Sequence, residues 1–131
     1  MRIGEAADRA GVSTKAVRYY ESLGLVTAAR LGNGYRDYDA AQVRRIAEIR
    51  GLVRLGIPAD RTRPFLDCLD SGEAAGDDCP ASLETYRAAI DDLDRRLAEL
   101  ADRRDALAGR LAAATARRTP RCLFTPTQET P

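Results

Sequence analysis

Histidine is missing from all 131 residues of this chain. That removes the commonest general base, excludes Ser-His-Asp and Cys-His catalysis, and rules out any His-ligated metal. No apolar run approaches the roughly 18–20 residues of a membrane span. Met1-Arg2-Ile3-Gly4-Glu5 enters a helical pattern at once, without the apolar core of a signal peptide. A soluble, cytoplasmic chain with no membrane partner is expected. Cysteine is sparse: Cys68, Cys79 and Cys122 are too few and too scattered for a secreted disulfide scaffold. Lysine is almost absent, since 20 of the 21 cations are arginine, which reads as the mark of a GC-rich genome rather than a binding device. There is no Gly-rich phosphate loop and no pair of carboxylates in a plausible cleft. The acids within residues 67–105 read as a solvated helix face, so the chain is not expected to be an enzyme.

The charge that is present is unevenly placed. Residues 1–58 carry ten Lys/Arg against six Asp/Glu, residues 59–116 eight against thirteen, and the last fifteen three against one. A basic front and an acidic middle suggest that only the front meets a polyanion. Within that front, residues 13–24 read Ser-Thr-Lys-Ala-Val-Arg-Tyr-Tyr-Glu-Ser-Leu-Gly. Ser13 is a good N-cap, and Glu21, Ser22 and Gly24 close a short helix. Val17, Tyr20 and Leu23 share its apolar stripe, which leaves Lys15, Arg18 and Tyr19 on or beside the opposite face. A short helix with an apolar back and a cationic, aromatic front suits a DNA major groove. Ile3 to Gly11 forms a preceding helix on Ile3, Ala6, Ala7 and Ala10, and Gly11-Val12 makes the turn of a helix-turn-helix.

Downstream, Asn33-Gly34 is a hairpin-turn signal, because both residues tolerate positive φ. The flanking segments, Leu25–Arg30 and Tyr35–Tyr38, form a small wing that carries Arg30, Tyr35 and Arg36 on or near its tip. Asp39 caps a third helix striped by Val43, Ile46, Ile49, Leu52, Val53 and Leu55, ending at Gly56. Arg44, Arg45, Arg50 and Arg54 decorate its outer faces. Pro58 opens a fourth helix that Pro64 kinks or divides, with Phe65, Leu66 and Leu69 turned to the core. Residues 71–78 are a loop.

From Cys79-Pro80 onward the pattern changes. Leu83, Tyr86, Ile90, Leu93, Leu97, Leu100, Leu107, Leu111 and Ala114 recur at steps of 3, 4, 3, 4, 3, 7, 4 and 3, with Arg104 as the single break. This heptad register predicts one long helix within 79–116, and about 36 residues of it would run roughly 54 Å at 1.5 Å per residue. So narrow a stripe on so long a helix needs a partner helix, most simply from a second copy of the chain. Residues 117–131, with Pro120, Pro126 and Pro131, read as an extended tail. The organisation is therefore mainly α: a winged helix-turn-helix domain over 1–70, a loop over 71–78, a dimerisation helix over 79–116 and a tail.

Several of these motifs occur in order: Val17-Arg18-Tyr19-Tyr20-Glu21, Gly24-Leu25, Gly34-Tyr35-Arg36-Asp37-Tyr38 and Leu55-Gly56-Ile57. With the terminal heptad helix, the chain from residue 1 to about 115 resembles the MerR family of bacterial transcription regulators. The resemblance implies a homodimer joined by an antiparallel coiled coil through Leu83, Tyr86, Ile90, Leu93, Leu97, Leu100, Leu107 and Leu111. It implies an activator bound to a pseudo-palindromic operator inside a promoter with a long −35 to −10 spacer. Effector binding then bends and untwists the spacer and realigns the promoter for RNA polymerase. Lys15, Arg18, Tyr19, Arg30, Tyr35, Arg36, Tyr38 and Arg54 are the DNA-contact candidates, with Tyr35 and Tyr38 divided between contact and hairpin packing. An effector-independent, excisionase-like DNA-bending protein is the alternative, and the long coil argues against it.

The effector question falls on the cysteines. Cys79 stands where metal-sensing members of the family place a ligand, and a helix N-terminus favours the thiolate. In an antiparallel dimer it would approach Cys122 of the other chain. Two thiolates without histidine make a poor zinc site, which normally has four ligands. They suit Cu(I) or Hg(II), or a redox-sensitive disulfide. The plainer readings are a capping or packing role for Cys79, no role for Cys122, and an apolar core role for Cys68. The four-cysteine cluster of iron-sulfur members is absent, and fifteen residues after the coil leave no room for a drug-binding domain.

Overall fold

The computed structural model describes residues 1–128, with side chains described through Arg118. It resolves into a first unit, Met1–Ala89, and a second that starts at Ile90.

In the first unit, α1 (Ile3–Ala10) buries Ala6, Ala7 and Ala10, whose small side chains let neighbouring helices come close. It ends on Gly11 at φ 75°, and the Val12 N–H reaches back to the Ala7 carbonyl at 2.9 Å. The Ser13 hydroxyl accepts the Ala16 N–H at 3.1 Å and starts α2 (Thr14–Ser22), which buries Val17 and Tyr20. Gly24, at φ 74°, ends that stretch, with the Leu25 N–H on the Tyr20 carbonyl.

The wing is a two-stranded antiparallel hairpin, β1 (Ala29–Arg30) and β2 (Arg36–Asp37), pairing Ala29 with Asp37 and Arg30 with Arg36. Only Gly34 of its tip takes positive φ. Asn33 contributes through its side chain instead, its Oδ1 accepting the Tyr35 N–H at 3.1 Å. The turn therefore needs one left-handed residue where the dipeptide suggested two, the arrangement of a three-residue hairpin loop closed by a glycine bulge.

Asp39 accepts the Gln42 N–H and caps α3 (Ala40–Arg54), which buries Ile46, Ile49 and Leu52. Val53 and Leu55 stay exposed, at 40% and 68%, so the apolar stripe is narrower than the sequence suggested. Val53 lies about 100° round the helix from Leu52. Leu55 follows the last helical residue and so leaves the stripe. Pro58 does not start a helix; it precedes a 3-10 turn, Ala59–Arg61. Thr62, fully buried, donates its hydroxyl to the Ala59 carbonyl at 2.7 Å. α4 (Arg63–Asp70) begins there with Pro64 in its first turn, which makes Pro64 an initiator rather than a kink. Phe65, Leu66 and Cys68 are buried, while Leu69 is half-buried.

Two cores result. The larger joins Ala6, Ala7, Val17, Tyr20, Leu25, Ile46 and Leu66 with their neighbours. The smaller gathers Leu52, Ile57 and Phe65 with Tyr86 and Ala89 from the first turns of α5 (Pro80–Gln128). The loop between α4 and α5 is held tightly: Arg44 donates to the Ala74 carbonyl at 2.5 Å, and buried Ser82 donates to the Gly76 carbonyl at 2.6 Å. A Cβ on Gly76 would lie 2.6 Å from a Glu48 carboxylate oxygen and 3.0 Å from the Phe65 carbonyl oxygen, so a larger residue there would make Glu48 move aside.

In the second unit α5 continues past residue 116, where the sequence reading ended it. Ala112-Ala113-Ala114 and Ala116-Arg117-Arg118 are strong helix formers and supply no stop. Ile90, Leu93, Leu97, Leu100, Leu107 and Leu111 are 44–68% exposed along it. Asp92 pairs with Arg95 at 3.1 Å and Arg96 at 2.9 Å on the solvated side. No described helix is long and apolar enough to cross a membrane.

Candidate nucleic-acid interface

Lys15, Arg18 and Tyr19 project from the exposed face of α2, with Tyr19 53% exposed. Arg18 also lines a shallow cleft of about 440 Å³ between the recognition helix and the wing, together with Arg2, Ile3, Arg30, Gly34, Tyr35 and Arg36. Four arginines line this one concavity, with Glu21 paired to Arg36 alone, and a local excess of positive charge attracts a polyanion. Guanidinium forks match phosphate oxygens two at a time.

Three contacts organise the cleft. The Arg2 guanidinium lies 4.0 Å from the centroid of the Tyr35 ring, a stacking that holds both at the wing tip. Glu21, at the end of α2, pairs with Arg36 Nε at 3.4 Å. The same carboxylate accepts the Tyr38 hydroxyl at 3.3 Å. One acid thus ties the recognition helix to the base of the wing. The chain start is bound there too: the Tyr38 N–H donates to the Met1 carbonyl at 2.7 Å, and the Met1 amino group donates to Asp37 at 2.6 Å.

Tyr38 itself is corrected by the structure. Its side chain is fully buried, so it packs the hairpin onto the domain and does not reach DNA. Burial first, and the Glu21 carboxylate next, hold its hydroxyl above the ordinary value, which keeps it a neutral donor. Tyr35, by contrast, is 52% exposed and lines the cleft. Arg54 is exposed in the last turn of α3 and does not line the cleft. Arg2 does line it, and the sequence reading missed it. Its only signal is a cation ahead of Ile3, and nothing local shows that the first residues lie along the wing.

Other arginines are structural. Arg45 Nε donates to the Leu25 carbonyl at 2.9 Å while its NH1 grips the Asp70 carboxylate at 2.7 Å. Arg63 reaches the Leu23 and Gly24 carbonyls at 3.3 and 3.4 Å. These bonds satisfy carbonyls of the segment just after α2 and tie that segment to α3 and α4.

The cysteine geometry differs from expectation. Cys68 is buried, as an apolar core residue would be, but it is bonded to Cys79, with their Cα atoms 5.8 Å apart. Cys79 therefore has an intrachain partner, and the side chain of Cys122 lies outside the described residues. No group of three or more His, Cys, Asp or Glu placed to hold a metal occurs among the described residues. Tyr86 also departs from the dimer stripe: its ring packs on Phe65 with centroids 5.0 Å apart, and its hydroxyl donates to Asp77 at 3.0 Å.

Residues 1–67 match the model of the MerR HTH family regulatory protein. The HTH-type transcriptional regulator HmrR of Rhizobium leguminosarum bv. viciae is 35% identical over 107 residues, covering 82% of this chain and 81% of that protein. The mercuric resistance operon regulatory protein of Bacillus cereus is 34% identical over 100 residues, 76% of this chain and 74% of its own. Among solved structures, the transcription regulator PbrR691 from Ralstonia metallidurans CH34 in complex with lead(II) superposes with a TM-score of 0.70 at 29% identity, covering 83% of each chain. The winged helix-turn-helix, its arginine cleft and these relatives lead to one conclusion: the chain belongs to the MerR family and is a DNA-binding transcriptional regulator, not an enzyme.

Proposed function

We propose that the chain acts as a homodimer on a pseudo-palindromic operator inside a long-spacer promoter, distorting the spacer in response to an effector so that RNA polymerase can use it. The cleft of Arg2, Arg18, Arg30 and Arg36 carries this reading, because it presents four guanidinium groups beside the recognition helix. The exposed leucine stripe of α5 supports the dimer: burying each such side chain contributes about 1.5–3 kcal/mol, available only from a partner. Two recognition helices joined by one coil would impose a shape on the duplex between them. Lys15, Arg18, Tyr19 and the wing residues Arg30, Tyr35 and Arg36 make the contacts, with Arg54 outside the cleft.

The effector acts on the thiol chemistry of Cys79, through a thiophilic ion such as Cu(I) or Hg(II), or through an oxidant. The metal arm gains support from a relative named for mercuric resistance and a structural neighbour solved in complex with lead(II). Against it, the described donors do not assemble an ion site, and Cys79 is engaged by Cys68. A metal would need the pair reduced and a second thiolate from Cys122 of the other chain.

The test is footprinting with purified protein and RNA polymerase on an operator isolated by selection from a random DNA pool and traced to its promoter. Protection spanning the −35 to −10 spacer, with transcript yield changing on addition of Hg(II), Cu(I) or hydrogen peroxide, is the expected result. Protection confined outside the spacer, or yield indifferent to all three, contradicts the reading.

A further inference from the structure

We propose that Cys68 and Cys79 form a reversible dithiol–disulfide pair through which a hydroperoxide sets the path from α4 into α5 and so adjusts the DNA-binding unit. This rests on the chain being a promoter regulator and gives its thiol chemistry a second residue.

The two sulfurs are suited to unequal roles. Cys79 is half-buried and sits immediately ahead of Pro80, with its carbonyl accepting the Ser82 N–H at 3.1 Å. It thus occupies the cap of a long helix, where the unpaired N–H groups favour a thiolate. Cys68 is 2% exposed, near the end of α4, and reaches Cys79 without meeting solvent. The reduced pair is accommodated as well, because Cys68 Sγ lies 3.6 Å from the Ala75 carbonyl oxygen, a ready acceptor for a thiol. Both redox states therefore keep the buried sulfur satisfied. Promoter DNA lies in a reducing compartment, where a disulfide is characteristically transient.

The chemistry balances with one co-reactant. The Cys79 thiolate attacks one oxygen of a hydroperoxide; the O–O bond breaks, an alcohol or water leaves, and a sulfenic acid forms on Cys79. The Cys68 thiol then attacks that sulfur. The S–S bond forms, the S–O bond breaks, and hydroxide departs with the Cys68 proton as water. Two thiols lose two electrons to the peroxide, and thiol–disulfide exchange restores them.

A short chain of contacts connects the pair to α2. Asp70, two residues after Cys68, grips Arg45, and Arg45 holds the Leu25 carbonyl just beyond the recognition helix. On the other side of the bond, Arg44 holds Ala74 of the 71–78 loop to α3. Opening the bond frees the two ends of that loop from each other, and the Asp70–Arg45–Leu25 and Arg44–Ala74 ties are the route by which a moved loop would pull on α3 and the end of α2.

The experiment uses the full chain. Hydrogen peroxide is expected to lower the titratable thiols from three to one. The tryptic peptide 62–87, which contains both cysteines, should lose about 2 Da, restored by dithiothreitol. Promoter transcription is expected to differ by roughly fivefold or more between the two states. Cys79→Ser and Cys68→Ala should each abolish the difference, whereas Cys122→Ser should retain it. Melting curves under dithiothreitol separate a misfolded Cys68→Ala from a folded, unresponsive one, and the mass shift in the unmodified chain needs no variant. A thiol count held at three, a bond to Cys122 instead, or a bond that forms without changing transcription overturns the proposal. If Hg(II) or Cu(I) switches transcription while peroxide does not, this inference fails and the regulator stands. If neither redox state binds the operator, both fail.

Discussion

The first unit and the helix beyond Ile90 dispose of their apolar side chains in opposite ways. Val17, Ile46, Ile49, Phe65 and Leu66 are all fully buried within the first unit. From Ile90 to Leu111 every stripe residue stays largely exposed. The same leucine-rich composition is self-sufficient in one place and incomplete in the other. What differs is the geometry: four short helices, a 3-10 turn and a hairpin enclose a core, while one long helix leaves its stripe uncovered. The first unit thus covers its apolar side chains within one chain, and the stripe of the long helix does not.

Substitutions in each region should separate the two roles. The largest effect is expected from Phe65→Ala, which empties the centre of the smaller core and removes the ring against Tyr86. A loss of about 3–5 kcal/mol is predicted, read as a fall in melting temperature at any protein concentration. The paired substitution Leu97→Asp with Leu100→Asp should leave the first unit folded but abolish the dimer by sedimentation. Operator affinity should then drop roughly 100-fold or more, because two half-sites can no longer be held at once. Arg18→Ala should leave both folding and dimerisation intact and cost about 1–3 kcal/mol of operator binding, with a shallower salt dependence. Unchanged affinity in a gel-shift titration would remove Arg18 from the interface.

The smallest effect concerns Glu48. Burial first, and Asp77 second, hold its carboxyl above the ordinary 4.5, with Arg44 opposing. The folded chain therefore holds the proton to higher pH than the unfolded one. The stability this contributes is complete below the unfolded value and is lost as pH rises through the folded one. Glu48→Gln should raise stability at pH 7 by less than about 1 kcal/mol and flatten the pH profile just above the ordinary carboxylate range. A drop in stability at pH 7 would show that the carboxylate is needed charged, beside Arg44.

Much of this organisation is legible in the sequence, for reasons that differ by region. Ser13 and Asp39 each announce a helix because capping is local chemistry, and both hydroxyl and carboxylate make the bonds their positions suggest. The heptad register is equally local, so α5 could be read from spacing alone. What spacing cannot convey is which element lies across from which. Tyr38 looked like half of a contact pair because its neighbours on the wing face solvent, but Glu21, seventeen residues away in sequence, holds it inside. Arg2 enters the cleft only because Met1 pairs with Tyr38. Cys68 looked like a simple core residue because its bond to Cys79 depends on how the 71–78 loop folds back. Tyr86 fits the heptad perfectly well by number, yet its ring belongs to Phe65.

On the proposed function, two such clefts read DNA as a pair only because the α5 stripe joins them. Anisotropy titrations of the unmodified chain and of the Leu97→Asp, Leu100→Asp variant, each against the selected operator and against the same duplex cut at its centre, test it directly. The unmodified chain is expected to prefer the two-half-site duplex by roughly 100-fold or more, while the variant binds both duplexes alike. A variant that still discriminates between them, or an unmodified chain that does not, would contradict it.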